Sequence, residues 1–316
     1  MKKRRLNDPI LDLNHTLLGG QTFGWRELKG FWYGTAYGQV LKVKVEGKLL
    51  SYDTSGDDDG HDLVSRYFKL DENLPNILKQ FEGSDDLIEK AIASFKGLRV
   101  LNQQPWECIL SFLCSSNSNI ATINMMIHDL SMKFGDRIVF DGMKFHTLPR
   151  PEVLDQASTE ELRDCKVGYR ANYIKTVAHE ISVGNFDINS LSKLNYSLGR
   201  NKLLNVENGH KVMKGIGPKV ADCILLFSLG KNEAFPCDIW ISRVILAKYK
   251  HLLDTPLLTS LSKSLKQKTP LSGRTYAKIG DVMRRYFGSN AGYAQQYLYA
   301  QTRQDYGRGP IRSQVM

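Results

Sequence analysis

The stretch Lys214-Gly215-Ile216-Gly217-Pro218-Lys219-Val220-Ala221-Asp222-Cys223, with Asp238 following 19 positions after Lys219, constrains this chain more than any other. It places a glycine turn, a helix start, an amine and a carboxylate close together. Pro218 suits the first position of a helix, because it lacks the N–H that would go unpaired there. Gly230 suits the position just past the end. These two residues predict a helix over about 218–229, with Lys219 in its first turn. The helix dipole opposes a positive charge there and so favours the neutral, nucleophilic amine. Asp238, in Pro236-Cys237-Asp238-Ile239-Trp240, is placed to cap the next helix, where the dipole favours the ionised carboxylate. Gly215 and Gly217, two apart before a helix start, free backbone N–H groups that can hold an anion, phosphate being the common occupant. Each part alone is ordinary turn or cap chemistry. The joint pattern is far more specific.

The 316 residues can bury a large core and hold two or three domains. Lys and Arg number 43 against 33 Asp and Glu, a net charge of +10, which favours a polyanionic partner. The start Met1-Lys2-Lys3-Arg4-Arg5 reads as a disordered basic terminus, with a phosphate-contacting arm or a nuclear address as the other readings. No apolar run approaches the roughly 18 residues of a membrane span, and none follows the basic start. A soluble protein that is not secreted is expected. The five cysteines, Cys108, Cys114, Cys165, Cys223 and Cys237, are too scattered for a disulfide framework and show no zinc spacing. That usage fits a reducing, intracellular compartment.

Residues 22–53 read as strands. Phe31–Tyr37 and Val40–Val45 are aromatic and β-branched, with breaks at Lys29-Gly30, Gly38-Gln39 and Glu46-Gly47. An antiparallel sheet with one wet face is expected. Residues 55–60, Ser-Gly-Asp-Asp-Asp-Gly, read as a solvated acidic loop rather than a calcium site. Helical spacing then covers Asp85–Phe95, a segment opened by Pro105, Asn119–Phe134 stopped at Gly135, a start at Ser158, Tyr169–Ile181, Leu203–Met213, Ile239–Tyr249, Asp281–Tyr286 and Ala291–Gln301. Residues 251–272 suggest a loop plus a helix. The expected fold is α+β: a small N-terminal antiparallel β domain, residues 1–95, packed on a mostly helical body, residues 96–316.

The hairpin segment resembles the helix-hairpin-helix, Gly/Pro-rich loop and aspartate signature of a DNA base-excision glycosylase superfamily (HhH-GPD). Within it the chain is similar to the 8-oxoguanine DNA glycosylases from about Leu11 to about Tyr299. Gly20-Gln21-Thr22-Phe23-Gly24-Trp25, Cys114–Asn119, Gly168-Tyr169-Arg170-Ala171 and Tyr293-Ala294-Gln295-Gln296-Tyr297 carry the likeness beside the hairpin. The resemblance implies an enzyme that flips 8-oxoguanine out of duplex DNA, excises it, and nicks the strand as an AP lyase. It implies Lys219 as the nucleophile at C1′ and Asp238 as the stabiliser of charge on the sugar. Gly20, Cys223, Gln295 and Tyr299 would form the base pocket. The Gly20 carbonyl would accept the N7–H that distinguishes 8-oxoguanine from guanine. Cys223 and Tyr299 would sandwich the ring, and Gln295 would read its Watson–Crick edge. Asn117 would fill the vacated stack, Tyr169 would wedge beside the opposite cytosine, and Arg170 would read that cytosine.

The resemblance also implies a monovalent cation on the hairpin carbonyls, bridging to DNA phosphate, and no other cofactor or metal. The iron–sulfur loop of some relatives is not expected, because no cysteine follows Cys237. The expected partner is double-stranded DNA containing 8-oxoguanine, bound by a monomer in the nucleoid or nucleus, with no membrane. Two positions depart from the family pattern. Thr122 stands where an arginine commonly contacts the opposite base, and Trp240 stands where a histidine commonly contacts phosphate. Tyr299 stands where phenylalanine is frequent. A related activity on a different damaged purine, or a non-catalytic helix-hairpin-helix DNA-binding protein, are the competing readings. Gly20 and Gln295 weigh against the first, and the presence of both Lys219 and Asp238 against the second.

Overall fold

The computed structural model describes residues 2–5, 11–207 and 210–306. Five strands form one antiparallel sheet: β1 (Lys2–Arg5), β2 (Arg26–Leu28), β3 (Phe31–Ala36), β4 (Gln39–Glu46) and β5 (Leu49–Thr54), in the order β1-β5-β4-β3-β2. Lys29-Gly30 and Tyr37-Gly38 both take positive φ at each residue. That is the geometry a two-residue hairpin turn needs to match the twist of its strands. The second turn therefore sits one residue earlier than expected. Trp32 lies opposite Val43, which lies opposite Tyr52. These side chains share a core with Leu41, Leu50 and Trp25 on the sheet and Leu13, Leu17, Val64 and Tyr67 beneath it.

Two corrections concern this sheet. The segment Lys2–Arg5 is not a disordered terminus: it pairs with β5, and the Arg4 guanidinium donates to Ser65 and Asp71, each at 2.8 Å. Met1 lies outside the described residues. The second face of the sheet is also not simply wet. A hairpin of β6 (Arg137–Phe140) and β7 (Met143–His146) reaches over it. Tyr33 stacks on Phe145 at 5.8 Å and its hydroxyl donates to Asp141 at 2.6 Å. Lys42 also reaches Asp141, at 2.6 Å.

The helices, in chain order, are α1 (Leu13–Leu17), α2 (His61–Tyr67), α3 (Leu74–Lys79), α4 (Asp86–Ser94), α5 (Pro105–Cys114), α6 (Ile120–Phe134), α7 (Pro151–Gln156), α8 (Thr159–Asp164), α9 (Arg170–Ser182), α10 (Tyr196–Leu204), α11 (Pro218–Ser228), α12 (Ile239–Lys248), α13 (Thr255–Gln267), α14 (Gly273–Phe287) and α15 (Ala291–Asp305). Asp85, Asn119 and Asp238 cap their helices through side-chain oxygens, and Ser158 with Glu161 completes a capping box. In the acidic loop, Asp58 and Asp59 accept from the amides of Gly60 and His61. The expected helix over 203–213 is wrong. The chain leaves α10 at Asn205, whose ψ of 145° is extended, and β8 (Val206–Glu207) pairs with β9 (His210–Lys211). Asn208 and Gly209 themselves lie outside the described residues, but Asn-Gly between short strands is a hairpin signal that outweighs the helical spacing. The expected helix at 281–286 is the end of a longer one, α14. No helix among the described residues is long and apolar enough to cross a membrane.

One apolar core spans the helical body, and α3 and α4 pack into it through Leu74, Ile88 and the following Phe95. Helix α11 runs through its centre, against α5 and α10. At its far end Glu107, in the first turn of α5, accepts from the amides of Tyr37 and Gly38, both at 3.1 Å. The carboxyl thus ties the β3–β4 turn to the body. Burial pushes it up to about 7, against those two bonds. The folded chain therefore keeps a proton that the unfolded chain releases near pH 4.5. Stability from this group is fully present below that pH and is lost as pH rises toward 7. Between pH 5 and 8 the melting temperature of the wild type should fall relative to that of Glu107→Gln. The differential is on the order of 3 kcal/mol. Parallel melting curves for the two proteins would show that this carboxyl does not titrate in the window.

Candidate active site

Gly217 caps α11 and Pro218 takes its first position, so Lys219 enters the first turn. The Lys219 amine donates to the Ser115 hydroxyl at 3.2 Å and lies 4.9 Å from the centre of the Phe112 ring. Ser115 in turn donates to the Phe112 carbonyl at 2.8 Å. The end of α5 therefore holds the amine. Asp238 is half-buried, and one carboxylate oxygen accepts from the amides of Trp240 and Ile241, each at 2.9 Å. Burial raises its carboxyl above the ordinary range, while the two amides, Lys219 and Arg303 pull the other way. Desolvation thus outweighs the helix cap that the sequence reading gave as dominant. A raised carboxylate is also the better proton acceptor.

Gly20, Lys219, Cys223, Asp238, Gln295 and Tyr299 line a single cleft, with Phe112, Phe227, Pro236 and Gln296 completing its wall. Cys223 follows Lys219 by one helical turn, and burial pushes its thiol up to about 12, so it is a neutral wall. Gln295 is only 4% exposed, and its side-chain oxygen has no hydrogen-bond partner among the described residues. Gly20 adopts φ of +77°. A β-carbon there would lie 3.0 Å from Ile120 and 3.2 Å from the Tyr299 hydroxyl. The position thus demands glycine for both conformation and space. The cavity between these side chains is about 40 Å³, against roughly 150 Å³ for a protein cavity that admits benzene. A purine enters only if the wall yields.

Sequence reasoning missed the residues that hold this wall. Gln21 is fully buried. Its amide donates to the carbonyls of Thr16 and Arg99 at 3.0 and 2.7 Å, and its oxygen accepts from the Leu101 amide at 2.8 Å. Gln296 donates to the Gly19 carbonyl at 3.0 Å and Arg303 to the Leu18 carbonyl at 3.3 Å. Three side chains therefore fix the loop that presents Gly20. The only available signal was polar residues, Gln21 and Gln296, inside otherwise apolar segments.

A second group lies around the turn between α5 and α6. Asn117 is exposed with φ of +51°, a left-handed conformation that asparagine tolerates. Tyr169 is 52% exposed and its hydroxyl donates to the Ser116 carbonyl at 3.2 Å. Arg170 is buried and donates to the carbonyls of Ser116, Asn117 and Val167. Its guanidinium, 4.7 Å from the centre of the Tyr169 ring, braces this turn from within. Thr122 bonds the capping Asn119 through both its amide, at 3.0 Å, and its hydroxyl, at 3.2 Å.

At the hairpin, Gly215 has φ of +86°, and a β-carbon there would meet Tyr173 at 2.8 Å. Gly217 faces open space. The amides of Lys214, Ile216 and Gly217 already bond to carbonyls within the turn, so they are not the free donors expected of it. The first-turn amides of α11 remain for an anion. Trp240 lies 5.7 Å from Tyr306, with the Arg243 guanidinium 4.9 Å from its ring. No group of three or more His, Cys, Asp or Glu side chains able to hold a metal occurs among the described residues.

Gly20→Ala is expected to push Tyr299 and Ile120 into the cleft. If a base enters here, as the resemblance implies, its excision should fall about tenfold or more, equivalent to roughly 1.4 kcal/mol, with duplex affinity retained. Undiminished excision would mean the cleft is not where the base goes.

Comparison with known proteins gives the chain a family. The profile of the 8-oxoguanine DNA glycosylase N-terminal domain matches residues 5–109, and that of the HhH-GPD superfamily base excision DNA repair proteins matches residues 110–256. The N-glycosylase/DNA lyase of Saccharomyces cerevisiae is 30% identical over 94% of this chain and 85% of its own length. The 8-oxoguanine glycosylase/lyase of Clostridium acetobutylicum is 30% identical in its apo form, with a TM-score of 0.77 over 92% of each chain. In its complex with duplex DNA carrying cytosine opposite 8-oxoG, it is 29% identical, with a TM-score of 0.79 over 94% of this chain and 93% of that one. From the hairpin lysine to the glycine-floored cleft, the chain belongs to the 8-oxoguanine DNA glycosylase/lyase family of the HhH-GPD superfamily.

Proposed function

We propose that this protein is a bifunctional base-excision repair enzyme that removes 8-oxoguanine from duplex DNA and then nicks the strand. The convergence of Gly20, Lys219, Cys223, Asp238, Gln295 and Tyr299 on one cleft carries this reading. An enzyme acting on a base must take it out of the stack, so the cleft needs a nucleophile, a ring sandwich and an edge reader together. The lone pair of the Lys219 amine forms a bond to C1′ as the bond from C1′ to the base breaks. The sugar ring opens to a Schiff base, and loss of a C2′ proton expels the 3′ phosphate. Asp238 stabilises positive charge on the sugar and takes up protons from the amine. The Gly20 carbonyl accepts the N7–H of 8-oxoguanine. With guanine, two acceptors would face each other at a cost of roughly 1–3 kcal/mol.

Asn117, Tyr169 and Arg170 act at the gap and the opposite base, and Gly215, Gly217 and Trp240 at the backbone. A monovalent cation on the hairpin carbonyls bridges to phosphate, and no iron–sulfur cluster takes part. The enzyme works as a monomer inside the cell, on DNA in the nucleoid or nucleus. The chain divides into a β domain, residues 1–95, and a helical glycosylase domain, residues 96–316, with α3 and α4 of the first packed into the second.

Borohydride trapping on an 8-oxoguanine duplex should give a covalent adduct that Lys219→Gln abolishes. Asp238→Asn should slow excision by about a hundredfold or more. An adduct formed only with another lesion would reassign the substrate, and no adduct with any lesion would leave a DNA-binding protein. Duplex affinity should also fall linearly with salt on logarithmic axes, as counterion release requires. A flat response would contradict phosphate anchoring.

A further inference from the structure

Three residues after Lys219 on α11 stands Asp222, fully buried and outside the cleft. One of its oxygens accepts from the Tyr196 hydroxyl at 3.0 Å and from Arg200 at 3.1 Å. The other accepts from the Tyr276 hydroxyl at 2.8 Å. Tyr276, on α14, is buried as well. Its hydroxyl donates chiefly to Asp222, with a longer contact of 3.5 Å to the Phe235 carbonyl, and accepts the amide N–H of Cys237 at 3.0 Å. Cys237 immediately precedes Asp238. A single phenol therefore joins the helix that carries the amine to the turn that carries the carboxylate. Tyr196 is different: it touches the same carboxylate but bonds onward to Arg284, at 2.7 Å, away from the Asp238 turn.

We infer that Tyr276 is a positioning residue for the reaction, its hydroxyl setting the separation between Lys219 and Asp238 through Asp222 and the Cys237 amide. The inference rests on the functional reading above. Hydrogen bonds from a buried phenol to a carboxylate are short and directional, and a misplacement of about 1 Å between reacting groups can cost a hundredfold in rate. The Tyr196 and Arg200 bonds keep one Asp222 oxygen paired when the Tyr276 bond is removed, so the loss falls on the other oxygen and on the Cys237–Asp238 turn.

The test compares Tyr276→Phe with Tyr196→Phe, each losing one hydroxyl from the same carboxylate. Single-turnover excision of 8-oxoguanine under saturating protein and duplex affinity are read below the melting transition of both variants, and the melting temperature is measured alongside. Tyr276→Phe should slow excision about tenfold or more, with affinity held within about twofold. Tyr196→Phe, which leaves each Asp222 oxygen with a partner, should keep its rate. Equal slowing of both variants, or a wild-type rate in Tyr276→Phe, would overturn the inference. Should Tyr276→Phe fail to fold, Asp222→Asn takes its place. Its amide sets a donor against Arg200 or against Tyr276. Slowed excision at unchanged affinity supports the inference and a wild-type rate overturns it. If the wild type itself gives no trapped adduct, the functional reading fails and this inference with it. If it does and the variants match it, only the inference fails.

Discussion

A carboxyl group that loses its water at a helix cap must be compensated group by group, and Asp238 is compensated from three directions. The Trp240 and Ile241 amides come from α12, Lys219 from α11 and Arg303 from α15. None of these suffices against burial, since the carboxyl still sits above its ordinary range. The three helices are therefore coupled through this one group, and the site exists only while they meet. Gly292 marks how tightly they do. A β-carbon there would lie 2.3 Å from Leu226 of α11 and 2.7 Å from the Ala234 carbonyl, so the start of α15 rests directly on α11.

The N-terminal part matters to the chemistry through a short chain of bonds. The Gln103 side chain donates to the Gln21 carbonyl at 2.7 Å, and the Gln103 amide donates to the Phe227 carbonyl of α11 at 2.7 Å. Phe227 also lines the cleft and stacks on Phe112 at 5.5 Å. The loop that presents Gly20 is thus bonded to the same helix that presents Lys219. It is not merely placed near it by domain packing. Glu107, at the other end, grips the β3–β4 turn. A loop proposed to contribute one backbone carbonyl needs this anchoring, because a backbone group has no side-chain freedom with which to correct its aim.

How much of this was legible follows from the range of the forces involved. Caps act within three residues, so Asp85, Asn119, Ser158 and Asp238 were readable from spacing. Pro218 fixed the start of α11 for the same reason. The reading failed where a local signal was ambiguous or a contact was distant. Leu203–Met213 has helical spacing, yet the chain turns out at Asn205. The β6–β7 hairpin covers the sheet through Phe145 and Asp141, over a hundred residues from Tyr33, and nothing in the strand pattern of 31–45 announces it. At the cleft, the resemblance assigned roles to residues that line it. It named none of those behind them, because Ser115, Gln21 and Tyr276 act through partners 104, 78 and 39 positions away. Asp238 shows a third kind of limit. Spacing gives the cap, which lowers a carboxyl, but only packing gives the burial that raises it.

The small cavity and the buried Gln295 oxygen bear on one another. Left without a partner inside the protein, that oxygen costs roughly 1–3 kcal/mol, and no described side chain relieves it. Tyr299 cannot do so while its hydroxyl lies over Gly20. Under the proposed function a purine would enter by displacing the Tyr299 ring, which would bring a base edge to Gln295. A donor on that edge recovers the cost of the buried oxygen at the moment the wall opens, whereas an apolar intruder would open the wall and recover nothing. Under the proposed function, selectivity comes from coupling the opening to recognition of the base edge, and the Tyr299 hydroxyl beside Gly20 places a polar atom at that exchange.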